Sequence, residues 1–199
     1  MDKQASLSLL IEGNERYVSE HFRGDHLDIA RRRDLADNGQ HPFALIVGCS
    51  DSRVPPEVIF DCGLGDLFVI RTAGNVVDEV GLGSIEYGVA HLGIPLVVVL
   101  GHEDCGAVKA TVGGGAAHGF IQAIVDKISV SYKKVSAETD VQCACEDENI
   151  RHTVAQICED EVIAELIREG KTYIIGAKEC IRSGYVSFLN KGKITKTIS

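Results

Sequence analysis

Leu96-Val97-Val98-Val99-Leu100, stopped by Gly101, runs straight into His102-Glu103-Asp104-Cys105-Gly106. The apolar run is rich in β-branched residues and has no polar alternation. Such a run suits a strand buried on both faces of a parallel sheet. A cluster of side chains with donor atoms follows at once, where that strand ends. Phe43-Ala44-Leu45-Ile46-Val47, stopped by Gly48, has the same design and runs into Cys49-Ser50-Asp51-Ser52-Arg53. Leu67-Phe68-Val69-Ile70 and Thr172-Tyr173-Ile174-Ile175, the latter stopped by Gly176, supply two more strands.

Helical patterns lie around and between these runs. Ser6 to about Phe22 and Leu27 to Ala36 precede the first strand. Gly83–Leu92, Ala107–Val112 and onward, and Glu148–Glu169 separate the others. Strands alternating with helices predict an α/β layer with helices on both faces. We read one domain over 1–199, with a helical arm over 1–38 and an α/β core over 39–199. Cys143 and Cys145 fall in a stretch, about Ser129–Asp147, read as a solvated acidic loop.

Composition narrows the function. The chain has 199 residues, 45% hydrophobic and 25% charged, which is ordinary for a globular protein. A net charge of −9 argues against generic binding to nucleic acid or anionic lipid. The Arg31-Arg32-Arg33 run is too narrow to reverse that and reads as a solvated helix face. No apolar run approaches the roughly 20 residues of a membrane span. The opening Met1-Asp2-Lys3-Gln4 lacks the pattern of a secretory signal. Seven cysteines in such a chain read as buried thiols or metal and redox sites in a reducing cytoplasm. The glycines of 113–119, 63–65 and 81–83 lack the context of a phosphate loop or a dinucleotide fingerprint.

The chemistry gathers at two strand ends. Ligands of open α/β sheets bind outside the carboxyl ends of the strands. Adjacent strands would therefore bring Cys49 and His102 to one crevice. Cys105, three residues on, is expected about one helical turn away and facing the same point. Two thiolates and one imidazole with an open fourth position is a known type of catalytic zinc site. Asp51 could complete the metal shell or stand beside it. Arg53, at an alternate position of an extended turn, favours the second arrangement, because guanidinium pairs with carboxylate in a fork and keeps it ionised. Such an Asp can orient a metal-bound water or hydroxide.

Cys49-Ser-Asp51-Ser-Arg53-Val-Pro-Pro-Glu57 and Gly101-His102-Glu-Asp-Cys105-Gly106-Ala107 resemble the two zinc motifs of the β-class carbonic anhydrases. Leu10–Val18, Phe68–Asn75, Glu148–Arg151 and Gly184–Val186 resemble further segments of that family. The resemblance implies a mostly parallel central sheet of about four strands with an added antiparallel strand. It implies a homodimer or dimer-based oligomer embraced by the N-terminal helices. One zinc per chain would be held by Cys49, His102 and Cys105. Zinc-bound hydroxide would attack carbon dioxide, and Asp51 with Arg53 would orient it. In some members that Asp closes onto zinc at low pH. Two family features are missing. The stretch from Asn75 to Gly83 has no Gln, and the chain has no Trp for the bicarbonate site of one subgroup. The alternatives are a hydrolase of carbonyl sulfide or carbon disulfide on the same site, and a non-catalytic zinc-binding module.

Overall fold

The computed structural model describes residues 1–24, 27–114, 117–190 and 193–194. Four parallel strands form its centre: β1 (Ala44–Cys49), β2 (Leu67–Thr72), β3 (Leu96–His102) and β4 (Tyr173–Glu179). An antiparallel strand, β5 (Val186–Asn190), pairs with β4, and the short β6 (Lys193–Ile194) extends the edge. The order is β2-β1-β3-β4-β5-β6. The sheet thus matches the expected four strands plus one, with β6 added.

Among the described residues eight α-helices surround it: α1 (Lys3–Val18), α2 (Ile29–Asn38), α3 (Pro56–Ile59), α4 (Glu79–Glu86), α5 (Gly106–Gly113), α6 (Ile121–Val135), α7 (Val141–Glu159) and α8 (Glu161–Arg168). Aspartates at 2, 28, 78, 140 and 160 accept backbone N–H bonds at the starts of α1, α2, α4, α7 and α8. Each satisfies an amide that the helix itself leaves unpaired. Part of the acidity of the sequence is therefore capping chemistry.

Alternation along the strands builds two cores. Ala44, Ile46, Leu96, Val98 and Leu100 face Leu10, Phe60, Val108, Ile128 and Cys145. Leu45, Val47, Val97 and Val99 face Ile85, Val89, Ile150, Ile157 and Ile163 on the other side. Both faces are covered, which is why the strands read as unbroken apolar runs.

The glycines taken as strand stops lie inside the strands. A Cβ on Gly101 would sit 2.6 Å from Ile150 Cδ1, and one on Gly176 2.6 Å from Ile150 Cγ2. Both glycines let α7 approach the sheet through Ile150. The first and third strands run two residues further than expected and the fourth runs four, and Cys49 and His102 are the last residues of β1 and β3.

Two helical readings are corrected. The Glu148–Glu169 helix is two helices. Asp160 is extended (φ −63°, ψ 131°) and caps α8 with its side chain. The expected acidic loop at Ser129–Asp147 is mostly helix: α6 runs to Val135 and α7 starts at Val141. Cys145 is fully buried there and Cys143 is exposed. Cys62, Cys158 and Cys180 are only half-buried.

The arm helix α1 is fastened to the core by one buried side chain. Asn14 Nδ2 donates to Ile59 O (3.2 Å) and Gly184 O (2.8 Å), and its Oδ1 accepts from Val186 N (2.9 Å). By contrast, α2 buries no residue against the described chain.

Candidate metal centre

The sheet changes winding direction between β1 and β3. From β1 the chain moves outward to β2; from β3 it moves the other way to β4. A crevice opens at such a switch point, outside the carboxyl ends of the two strands. Cys49 closes β1 and His102 closes β3 at this place.

Cys105 reaches the same point by a route other than the expected helical turn. His102 is still strand, Glu103 and Asp104 form a turn, and Asp104 is left-handed (φ 53°). Aspartate tolerates that conformation better than most residues. Cys105 is the residue just before α5, and its side chain makes no capping bond. Its sulfur is thereby free to face Cys49.

The ligand atoms of Cys49, His102 and Cys105 all lie within 4.8 Å of one another, and all three residues are buried. Cys49 Sγ and Cys105 Sγ are 4.0 Å apart, far beyond a disulfide bond. Two thiolates on a tetrahedral zinc at about 2.3 Å each would be separated by roughly 3.8 Å. His102 Nδ1 is 2.8 Å from Glu103 O. That contact assigns the ring proton to Nδ1 and leaves Nε2 as the lone-pair nitrogen. Nε2 is buried and has no hydrogen-bond partner. An orphaned imidazole nitrogen beside two convergent sulfurs is the donor set that zinc takes.

Backbone groups and neighbours prepare the sulfurs. Gly74 N donates to Cys49 Sγ at 3.3 Å, and it does so from a left-handed turn (φ 73°) that glycine adopts without strain. The Cys49 thiol is held well below the ordinary range. The hydrogen bond from Cys105 is the largest cause, outweighing burial, with His102 and the amides of Asp51 and Gly74 adding to it. The Cys105 thiol is pushed up by the same bond to Cys49 and by burial. Burial pulls His102 down, but the nearby Cys49 sulfur with its charge, and the Glu103 carbonyl, more than offset it and the net direction is up.

Asp51 stands beside this trio and is not part of it. Its Oδ1 accepts from Arg53 N and Nε, both at 2.9 Å, and its Oδ2 from an Arg53 terminal nitrogen at 2.7 Å. Those bonds hold its carboxyl far below the usual carboxylate range. Arg53 also reaches Asp104 O at 3.2 Å, which links the turns after β1 and β3.

Several residues at the site carry no signal in the two motifs. Arg71 on β2 donates to Cys49 O (2.7 Å) and Asp51 O (2.5 Å), and so fixes the loop that presents both side chains. Glu146 on α7 accepts from Cys105 N at 3.2 Å and pairs with Lys178 of β4 at 3.0 Å. Glu179, level with His102 in the sheet, is buried with an unpartnered Oε2. Burial raises its pKa to about 7, with His102 opposing, Asp51 adding and Arg53 opposing. A charged pair at the end of the otherwise apolar β4 was the visible clue to Lys178 and Glu179. Thr72, the partner of Cys49 in register, also lines an open cavity of about 210 Å³, with Ala73, Val76 and Ile124 giving it apolar wall.

Comparison with known proteins agrees with this geometry. The carbonic anhydrase family profile matches residues 44–186. The carbonic anhydrase of Mycolicibacterium smegmatis is 40% identical over 191 residues, covering 92% of this chain and 91% of the relative. Carbonic anhydrase 2 of Mycobacterium tuberculosis is 41% identical over 179 residues, covering 86% of each. A tetrameric β-carbonic anhydrase of Sordaria macrospora superposes with a TM-score of 0.73 at 26% identity, covering 94% of both chains. The matched region contains the strands β1 and β3 together with every donor atom that converges at their ends, and the chain belongs to the β-class carbonic anhydrase family.

Proposed function

We infer that this chain catalyses the reversible hydration of carbon dioxide to bicarbonate and a proton, with one zinc ion held by Cys49, His102 and Cys105. The observation that carries this reading is the buried, unpartnered His102 Nε2 within 4.8 Å of both sulfurs. Zinc bound there supplies Lewis acidity that makes water nucleophilic near neutral pH. Asp51 acts as an ionised acceptor that aims an attacking water through its O–H. Arg53 keeps that carboxylate charged and turned in one direction. Arg71 holds the backbone between Cys49 and Asp51, so that ligand and acceptor keep a fixed separation.

The chain is read as one unit over 1–199, with 1–38 as an arm. Phe22, Leu27 and Ile29 are each more than half exposed, at 51%, 60% and 58%. Those apolar side chains on the arm support a homodimer or a dimer-based oligomer. Seven free thiols support a reducing cytoplasm. No helix among the described residues is long and apolar enough to cross a membrane.

Metal analysis with stopped-flow carbon dioxide hydration tests the reading. One zinc per chain and hydration that rises from neutral to alkaline pH are expected. Fast sulfide release from carbonyl sulfide or carbon disulfide, with hydration no faster than buffer, overturns the substrate. Zinc binding without turnover of either substrate class overturns the enzyme reading.

A further inference from the structure

Behind Cys105 lies a charged cluster that the hydration chemistry does not use. Glu146 is 5% exposed and Lys178 8%. Lys178 Nζ lies 3.0 Å from Glu146 Oε2 and 2.8 Å from Asp147 Oδ1. Glu146 Oε1 accepts from Cys105 N at 3.2 Å and from Gln142 Nε2 at 2.8 Å. Burying such a pair is costly, and apolar residues of similar size are often as stable. What an apolar pair lacks is an acceptor for the Cys105 amide.

We propose that Glu146, held in place by Lys178, is a positioning residue that fixes the backbone of Cys105 and so aims its sulfur at the metal. The inference deepens the zinc reading above and rests on it. The local backbone explains the need. Asp104 is left-handed and Cys105 has no capping bond of its own, so the turn between His102 and α5 has little intrinsic preference for this shape. A carboxylate on the Cys105 N–H is a charge-assisted anchor. It pins the Asp104–Cys105 peptide while the side chain stays free. Lys178 neighbours Gly101 in register, one residue before His102. One cation thus ties α7 to β4, the neighbour of the strand that ends in the imidazole ligand. Outer partners of metal ligands typically contribute about 10–100-fold to metal affinity or activity.

The test removes the charge from both partners and varies only the acceptor. Glu146→Gln/Lys178→Met keeps an oxygen for the Cys105 amide, and Glu146→Leu/Lys178→Met does not. Zinc affinity is measured by chelator competition, and the thiolate-to-cobalt absorption band is recorded on the cobalt-substituted proteins. The Leu variant is expected to bind zinc about 10–100-fold more weakly and to shift the band, with the Gln variant within about threefold of the parent. Equal zinc affinities in the two variants overturn the proposal. The amide itself gives a reading that needs neither double variant. In isotope-labelled protein the Cys105 amide proton is expected downfield, and Glu146→Gln moves it upfield. A resonance that does not move overturns the proposal. Cys105→Ser separates this inference from the reading beneath it. If that variant binds zinc as tightly as the parent, the zinc reading fails. If it loses zinc while the two double variants bind equally, only the positioning role fails.

Discussion

Arg53→Lys keeps the positive charge beside Asp51 and removes the fork. Arg53 makes three side-chain bonds here: Nε to Asp51 Oδ1 at 2.9 Å, a terminal nitrogen to Asp51 Oδ2 at 2.7 Å, and the same nitrogen to Asp104 O at 3.2 Å. The bond from Arg53 N to Asp51 Oδ1 is backbone and survives. A lysine ammonium is a single point donor and cannot hold both carboxylate oxygens at once. The Arg53 side chain is 48% exposed, so water replaces much of what is lost. The stability loss is therefore small, as for exposed ion pairs in general. The catalytic loss is larger, because Asp51 is left free to rotate away from the water it aims or toward the three ligands. Residues that orient a metal site typically cost about 10–100-fold when changed, and that range is expected for kcat. The assay is stopped-flow hydration alongside zinc content and thermal unfolding. Zinc content should stay near one per chain. A kcat within about twofold of the parent, with zinc and fold intact, refutes the orienting role given to the fork.

Cys49→Ser should lose zinc and activity together, since a neutral hydroxyl is a poor zinc ligand; full metal occupancy in the purified variant would remove Cys49 from the ligand set. Glu179 titrates near 7 in the metal-free fold against an ordinary 4.5, so the native state binds the extra proton between those values and stability falls as pH rises through that window. Glu179→Gln should flatten this fall and make the metal-free protein more stable than the parent at pH 8, by about 2–3 kcal/mol in denaturant unfolding; an unchanged pH profile contradicts it. Gly176→Ala places a methyl against Leu189 and 2.6 Å from Ile150 Cγ2, and overpacking there should cost about 1–3 kcal/mol, read as a lower denaturant midpoint. Asn14→Ala strips the acceptor from Val186 N and the donor from two carbonyls, so α1 should loosen, with a loss of about 2–3 kcal/mol and faster amide exchange at Val186.

The fold was legible where burial is two-sided. Leu45–Val47 and Val97–Val99 alternate between two cores that are both apolar, so each run announces a central strand without help from its neighbours. Reading was poorest where one residue serves two masters. Gly48, Gly101 and Gly176 look like strand stops because glycine is a weak strand former. At 101 and 176 the reason for glycine is the approach of Ile150, some fifty and some twenty-six residues distant in the chain respectively, and no local pattern can disclose that. The start of helix α7 was hidden for a related reason. Its first two turns carry Glu146 and Asp147 inward toward Lys178, and inward acids erase the apolar stripe by which helices are recognised.

The site divides along the same line. Cys49, Asp51, Arg53, His102 and Cys105 were legible because they follow two strands in short clusters, and adjacency of those strands makes the clusters converge. What surrounds them was less legible, because Arg71 and Glu146 act on backbone atoms, the carbonyls of Cys49 and Asp51 and the amide of Cys105, while Lys178 acts through the carboxylates of Glu146 and Asp147. Backbone atoms are present at every position and leave no trace in residue identity. A reader of motifs therefore finds the groups proposed to touch metal and water, and misses those that hold the main chain still. That asymmetry has a physical consequence. The ligand triad sits at the ends of two strands and in a left-handed turn, where the sheet's own hydrogen bonds are running out. Arg71 of β2 and Glu146 of α7 supply bonds that the ladder no longer can, Lys178 of β4 holds Glu146 in place, and the geometry at the proposed metal site is as rigid as those bonds make it.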